Sequence, residues 1–132
     1  MIGPAGVAIK QVEQQLAALG LVLIENRDYG ATFSSATHTL RVTSEPHYAG
    51  LSISLRNAYG ETFELGLLAH MLAPEYQAQA HASHTTNGQE MYDLTSMVRF
   101  LHDNKALVFE QPASYFAAYQ EASKLRLAKI GL

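Results

Sequence analysis

The first twenty positions alternate between apolar and polar residues with the period of an α-helix. Gly20 follows the last apolar position, where helices commonly end with a residue in the left-handed conformation. Polar residues, mostly glutamine and glutamate, occupy the positions between the apolar ones. The pattern predicts an amphipathic helix over about Gly6 to Leu19. Its apolar positions are Ile9, Val12, Leu16 and Leu19.

After Gly20 the period shortens to that of β-strands, and turn-forming residues separate the apolar segments. The first segment is a continuous run of branched apolar residues, typical of a strand that is central or covered on both faces. The last alternates cleanly, which predicts a half-buried strand. Connections this short favour antiparallel neighbours, so we expect a meander of about four strands, although the pattern does not indicate which strand lies at the edge. The predicted strands are Leu21–Ile24, Ala31–Ala36, the segment around Leu40–Val42, and Leu51–Arg56.

From about residue 60 onward the pattern is helical again. A short helix is predicted around Phe63 to Leu72 and is ended by Pro74. A second covers Met91 to Leu101, and Pro112 lies where a final helix would begin. Because the strands come first and the helices follow, the chain is predicted to be a single α+β domain over residues 1–132. Three or so C-terminal helices would pack on the sheet.

Composition narrows the functional classes. The chain has 132 residues, of which 48% are hydrophobic and 16% are charged, so a packed core is expected rather than intrinsic disorder. The absence of cysteine excludes disulfides, thiolate nucleophiles and cysteine-ligated zinc. The segment from Met1 to Gly6 does not resemble a signal peptide, and no apolar run has membrane-spanning length. A cytoplasmic protein without membrane association is expected.

Charge is distributed unevenly along the chain. Residues 60–121 contain eight acidic and two basic residues, a net charge of −6, whereas residues 1–59 are balanced. The only basic cluster is Lys124, Arg126 and Lys129, which is better explained as cations near a helix C-terminus. Nucleic-acid binding needs a larger basic surface and is not expected.

Three histidines form the best candidate metal site. His81 and His84 would present two imidazoles to one ion on a helix, and His70 or Glu75 would add a third ligand. The spacing departs from the metalloprotease motif, since Ala82 stands where the general base belongs. Solvated loop histidines explain the pair at least as well.

No catalytic constellation accompanies these histidines. Ser52 lies in a segment that only begins like a nucleophile elbow, and the alternation predicts that it faces solvent. Glu61 and Glu64 are better explained as carboxylates favoured at a helix N-terminus than as an acid–base pair. No glycine-rich phosphate loop is present, so neither a cofactor nor an enzymatic activity is expected.

Tyrosines and acidic residues instead suggest a protein-binding surface. Tyr29, Tyr48 and Tyr59 fall in predicted turns, where each phenol either anchors an interface or folds back over the sheet. A second group surrounds the polar stretch from 73 to 93 and would give a basic protein an acidic rim with aromatic anchors. Its members are Glu75, Tyr76, Glu90, Tyr92 and Asp93.

The order of elements resembles that of small bacterial immunity proteins, which neutralise a cognate toxin by occluding it. The resemblance covers most of the chain and depends on the leading helix, the strand pair and the closing apolar segments. It implies a non-enzymatic protein whose partner is a toxin domain, here a basic one. A homodimer without another partner remains open. The residues that carry it are Leu19–Gly20, Leu40–Val42, Leu51–Leu55, Met97–Leu101, Ala106–Phe109 and Tyr115–Phe116.

The helix and meander of the first half are also similar to the acidic chaperones of specialised secretion systems. That similarity weakens after Leu68, where such chaperones return to strands and this chain is predicted to stay helical.

Overall fold

The computed structural model describes residues 3–44, 51–73 and 89–129, and shows an N-terminal helix, an antiparallel sheet and C-terminal helices. This confirms the predicted α+β layout. The elements are α1 (Gly3–Ala18), β1 (Val22–Arg27), β2 (Gly30–Ser34), β3 (Thr39–Ser44), β4 (Leu51–Arg56), β5 (Thr62–Glu64), α2 (Leu65–Leu72), α3 (Gln89–Asp103), a π-helical turn (Ala106–Glu110), a 3₁₀ turn (Pro112–Ser114) and α4 (Phe116–Lys129).

Helix α1 buries the stripe that the sequence predicts. Ile9, Val12 and Leu16 are almost fully buried, while the glutamines between them are exposed. Gly20 has a φ of +84°, a left-handed conformation that a side chain would disfavour. This geometry turns the chain sharply, so that Leu21 is buried and β1 begins at the next residue.

The sheet contains five strands in the order β1-β2-β3-β4-β5, all antiparallel. The fifth strand was not predicted, because its three residues precede α2 directly and Phe63 fits the helical spacing. In the structure Phe63 lies opposite Leu55 of β4, and both side chains are buried. The helix therefore begins two residues later than the sequence pattern suggests.

Strand β1 lies at the edge of the sheet, which corrects the prediction that its apolar run is central or covered on both faces. Val22 is 57% exposed and Ile24 is 64% exposed. The register shifts between Leu23 and Glu25, so Ile24 is an extra residue in the ladder. An apolar run does not reveal how many neighbours a strand has, because that depends on strand order.

One face of the sheet forms the core with the helices. Its side chains pack in a single cluster with the apolar stripes of α1, α2 and α3. His38, in the turn between β2 and β3, also faces inward and contacts Phe109 of the π-helical turn edge to face, with ring centroids 4.9 Å apart. The inward-facing strand residues are Ala31, Phe33, Leu40, Val42, Ile53, Leu55 and Phe63.

An aromatic cluster joins α4 to the short strand β5. The Phe63 ring contacts the rings of Tyr115, Phe116 and Tyr119 edge to face, with centroids 4.9–5.9 Å apart. The Tyr119 hydroxyl accepts a hydrogen bond from the Glu64 backbone N–H at 2.7 Å. This edge of the sheet is therefore covered, in contrast to β1.

Glu64 also connects β5 to α2. Its carboxylate accepts hydrogen bonds from the backbone N–H groups of Gly66 at 3.0 Å and Leu67 at 2.8 Å. Glu64 is the N-cap of α2, in agreement with the expectation of a carboxylate at a helix N-terminus.

The closing segment differs in detail from the prediction. The apolar piece from Ala106 to Phe109 belongs to a π-helical turn, and Pro112 starts a separate 3₁₀ turn rather than the final helix. Buried Tyr115 follows that turn and donates a hydrogen bond from its hydroxyl to the Val108 carbonyl at 2.7 Å. Burial, with a smaller contribution from Glu61, raises the pKa of Tyr115 to about 12.

Candidate functional site

The acidic rim predicted from the sequence falls largely outside the described part of the chain. Glu75 and Tyr76 lie outside the described residues. Glu90, Tyr92 and Asp93 lie on the first turns of α3, but their side chains are not described. The predicted docking surface for a basic protein therefore stays a prediction.

The histidine site has the same status. His70 is exposed in the last turn of α2, whereas His81 and His84 lie outside the described residues. Within residues 3–44, 51–73 and 89–129, no three histidine or acidic side chains are grouped to hold a metal ion. Metal binding by these histidines remains a sequence prediction.

The other sequence candidates have structural roles or face solvent. Ser52 is exposed on β4, as the alternation predicts. Glu61 closes the β4–β5 turn, since its carboxylate accepts a hydrogen bond from the buried Asn57 side-chain amide at 2.6 Å. The Asn57 side-chain oxygen accepts from the backbone N–H groups of Tyr59 and Glu61, both at 3.0 Å.

Two of the three turn tyrosines are described, and neither is buried against the sheet. Tyr59 is 83% exposed and Tyr29 is 50% exposed, while Tyr48 lies outside the described residues. Their exposure is compatible with interface anchoring and does not support phenols folded fully onto the sheet.

A candidate binding surface of the described residues is the side of the sheet that faces away from the helices, here called the open face. Its side chains are exposed or half-buried, and hydroxyl groups predominate. Cross-strand partners form three rows along it. These are Val22–Ser34–Thr39–Arg56–Thr62, Glu25–Thr32–Arg41–Ser54–Glu64, and Arg27–Gly30–Thr43–Ser52.

A shallow depression of about 610 Å³ interrupts the open face over β1 to β3. Gly30 lies on its floor and contributes no side chain, which leaves space between Arg27 and Thr43 in the same row. A Cβ at Gly30 would meet no atom closer than 3.8 Å, so the backbone does not require glycine for lack of room. The lining residues are Glu25, Arg27, Asp28, Tyr29, Gly30, Thr32, Arg41 and Thr43.

Three arginines lie on the open face, one in each row. Arg27 forms an ion pair with Glu25, its neighbour on β1. Arg41 and Arg56 are exposed and have no ion pair within the described residues. The Arg56 guanidinium extends toward the β4–β5 turn, with Nη2 3.7 Å from the position that a Gly60 Cβ would occupy.

Sequence reasoning missed this arginine surface. The chain-wise count of residues 1–59 is balanced, and that balance conceals a clustering in space. The signal was nevertheless available, since Arg41 stands between Leu40 and Val42 and Arg56 follows Leu55. Strand alternation assigns both arginines to the side opposite the core.

His38 is the only histidine that is buried among the described residues, and its surroundings are structural. Burial lowers the pKa of His38 below its ordinary value of 6.5. Its Nδ1 lies 2.7 Å from the Thr37 hydroxyl, and its backbone N–H donates to the Ser35 hydroxyl at 3.0 Å. These hydrogen bonds lie within the β2–β3 turn, and the ring contact with Phe109 packs that turn against the π-helical turn.

No protein-family model, curated protein or solved structure matches this chain. Among the described helices, none combines the length and the apolar character needed to cross a membrane.

Proposed function

We propose that this protein is a non-enzymatic protein-binding domain that engages its partner with the open face of the sheet. The supporting observation is the asymmetry of the sheet: helices pack on one face, while the other presents hydroxyls, arginines and a shallow depression. A broad surface with an exposed tyrosine at its margin suits a protein partner better than a small molecule, which favours an enclosed apolar pocket.

The specific form that we propose is an immunity protein of a bacterial cytoplasm that occludes a cognate toxin domain. The resemblance in element order supports this form. The partner would be held by contact alone, without chemistry at the interface.

The experiment is affinity capture with the full chain, using wild type, Arg41→Glu/Arg56→Glu and Arg99→Glu as baits. Arg99 is an exposed arginine of α3, on the helical side of the molecule, and is the matched control. We expect a protein that is retained by wild type and by the control but lost from the open-face variant. Capture by all three baits alike would contradict the use of this face.

Co-expression then separates the immunity role from binding in general. The captured protein should arrest growth when it is expressed alone, and co-expression of the full chain should restore growth. If the captured protein is harmless alone, the immunity form is wrong, whereas the binding role stands.

Self-association is a second candidate because the edge strand β1 exposes Val22 and Ile24. Edge strands with apolar side chains readily pair with another strand. Light scattering coupled to size-exclusion chromatography would show a dimer that Ile24→Lys dissociates. A monomer across the accessible concentration range would exclude this candidate.

A further inference from the structure

Arg41 and Arg56 occupy neighbouring outward positions on adjacent strands. Arg41 lies opposite Ser54, and Arg56 lies opposite Thr39, two residues along each strand. Positions related in this diagonal way are about 7–8 Å apart. This is the spacing of the two positions on the strands, and no carboxylate of the described chain forms an ion pair with either arginine.

Hydroxyl-bearing residues are the immediate cross-strand neighbours of both arginines, and the row of Arg41 ends in Glu25 and Glu64. Thr32 and Ser54 flank Arg41 in its row, while Thr39 and Thr62 flank Arg56. Arginines donate paired hydrogen bonds to carboxylates, and neighbouring hydroxyls supply further donors. The third arginine, Arg27, lies in the remaining row beside the depression and is already paired with Glu25.

From this placement, and on the proposed function as its basis, we infer that the open face binds an extended acidic segment of the partner protein. Same-side residues of an extended chain repeat about every 7 Å, which matches the spacing of Arg41 and Arg56. Two carboxylates placed two residues apart would each face one guanidinium. The Gly30 depression beside Arg41 leaves room for the segment to continue across β2 and β1.

The charges of the open face favour an acidic occupant. Its three rows carry Arg27, Arg41 and Arg56 against Glu25 and Glu64, and Glu25 is already paired with Arg27. An acidic segment is therefore attracted to Arg41 and Arg56. Glu25 and Asp28 line the depression and would repel further carboxylates there, so the acidic part of the bound segment should end before the β1 edge.

The test is a fluorescence-anisotropy titration of the full chain with a labelled peptide of five Glu-Thr repeats, which places its carboxylates on one side when extended. Peptides of five Gln-Thr or Lys-Thr repeats are the matched probes. We expect only the glutamate peptide to bind, and binding to weaken as ionic strength rises.

Variants then locate the binding. Arg41→Glu/Arg56→Glu should weaken binding of the glutamate peptide at least tenfold. Arg41→Gln/Arg56→Gln should also weaken binding at least tenfold, and this variant introduces no negative charge that would repel the peptide. Arg41→Lys/Arg56→Lys should retain part of the affinity, because lysine keeps the charge but not the paired hydrogen bonds. Arg99→Glu should change it less than twofold. Gly30→Val, which fills the depression, should weaken it several-fold.

Three results of the titrations would overturn the inference: no binding of the glutamate peptide, equal losses in the Arg99 control, or tighter binding of a labelled oligo(dT) than of the peptide. The last would assign the arginines to a nucleic acid. If a captured partner binds independently of Arg41 and Arg56, this inference fails while protein binding stands. If the glutamate peptide binds through Arg41 and Arg56 but no partner is captured, the affinity for acidic segments stands and the proposed protein partner is not supported.

Discussion

The two faces of the sheet are made from alternate residues of the same strands, yet they differ in what each substitution would cost. Leu40, Val42 and Leu55 face the helices and are almost fully buried. Arg41, Ser54 and Arg56 stand next to them in the chain and face solvent or are half-buried. Substitutions on the inner face should therefore lower the stability of the fold. Substitutions on the open face should affect binding instead, because the side chains of the open face contribute little to the core.

The largest effect should come from truncating a buried strand residue. Leu55→Ala removes a fully buried side chain from a core shared with the helices, and we expect a loss of about 2–5 kcal/mol in the free energy of unfolding. Urea denaturation measures it. Ser54→Ala, one residue away on the open face, is the control and should stay within about 0.5 kcal/mol of wild type. A large loss at Ser54 would break the distinction between the faces.

A smaller effect is expected from removing the buried tyrosine hydroxyls behind the core. Tyr115→Phe deletes the donor to the Val108 carbonyl, and Tyr119→Phe deletes the acceptor for the Glu64 N–H. Each should lower the free energy of unfolding by about 1–2 kcal/mol. Exposed Tyr59 provides the control, and Tyr59→Phe should be neutral. If all three were neutral, the α4 contact with β5 would not depend on these hydrogen bonds.

The buried imidazole of His38, on the inner side of the sheet, predicts that the free energy of unfolding depends on pH. Because the pKa of His38 is lowered in the fold, the unfolded chain takes up the proton more readily as the pH falls below 6.5. His38 should therefore contribute stability above pH 6.5 that is lost progressively below it. Thermal unfolding from pH 7.5 to 5 should show a shallower decrease in His38→Phe, which keeps a ring against Phe109. An unchanged slope in His38→Phe would mean that the imidazole titrates alike in the folded and unfolded chains.

The smallest effect on stability is expected at the arginines. Arg41→Ala and Arg56→Ala remove exposed charges that have no ion pair among the described residues, so the free energy of unfolding should change by less than about 0.5 kcal/mol. A loss above 1 kcal/mol in either variant would show that the open face also serves the fold.

The predicted elements and the observed ones agree best where the period is long and regular. The buried apolar residues of α1 and of β4 each lie on one face of the element, so only that face can pack against the core. β5 escaped prediction because three residues are too few to establish a period, and Phe63 satisfies both the strand and the helix pattern. The candidate site was least predictable, because the arginines of β1, β3 and β4 are far apart in sequence and become neighbours only through strand register.

The sequence by itself determined the class of fold, since local periodicity and turn residues decide where helices and antiparallel strands form. It also determined which side of each strand a residue occupies. Only the tertiary structure decided that β1 is the edge, that α4 covers β5, and that Arg41 and Arg56 meet on one surface. Those outcomes depend on strand order and register, which are set by packing between segments distant along the chain.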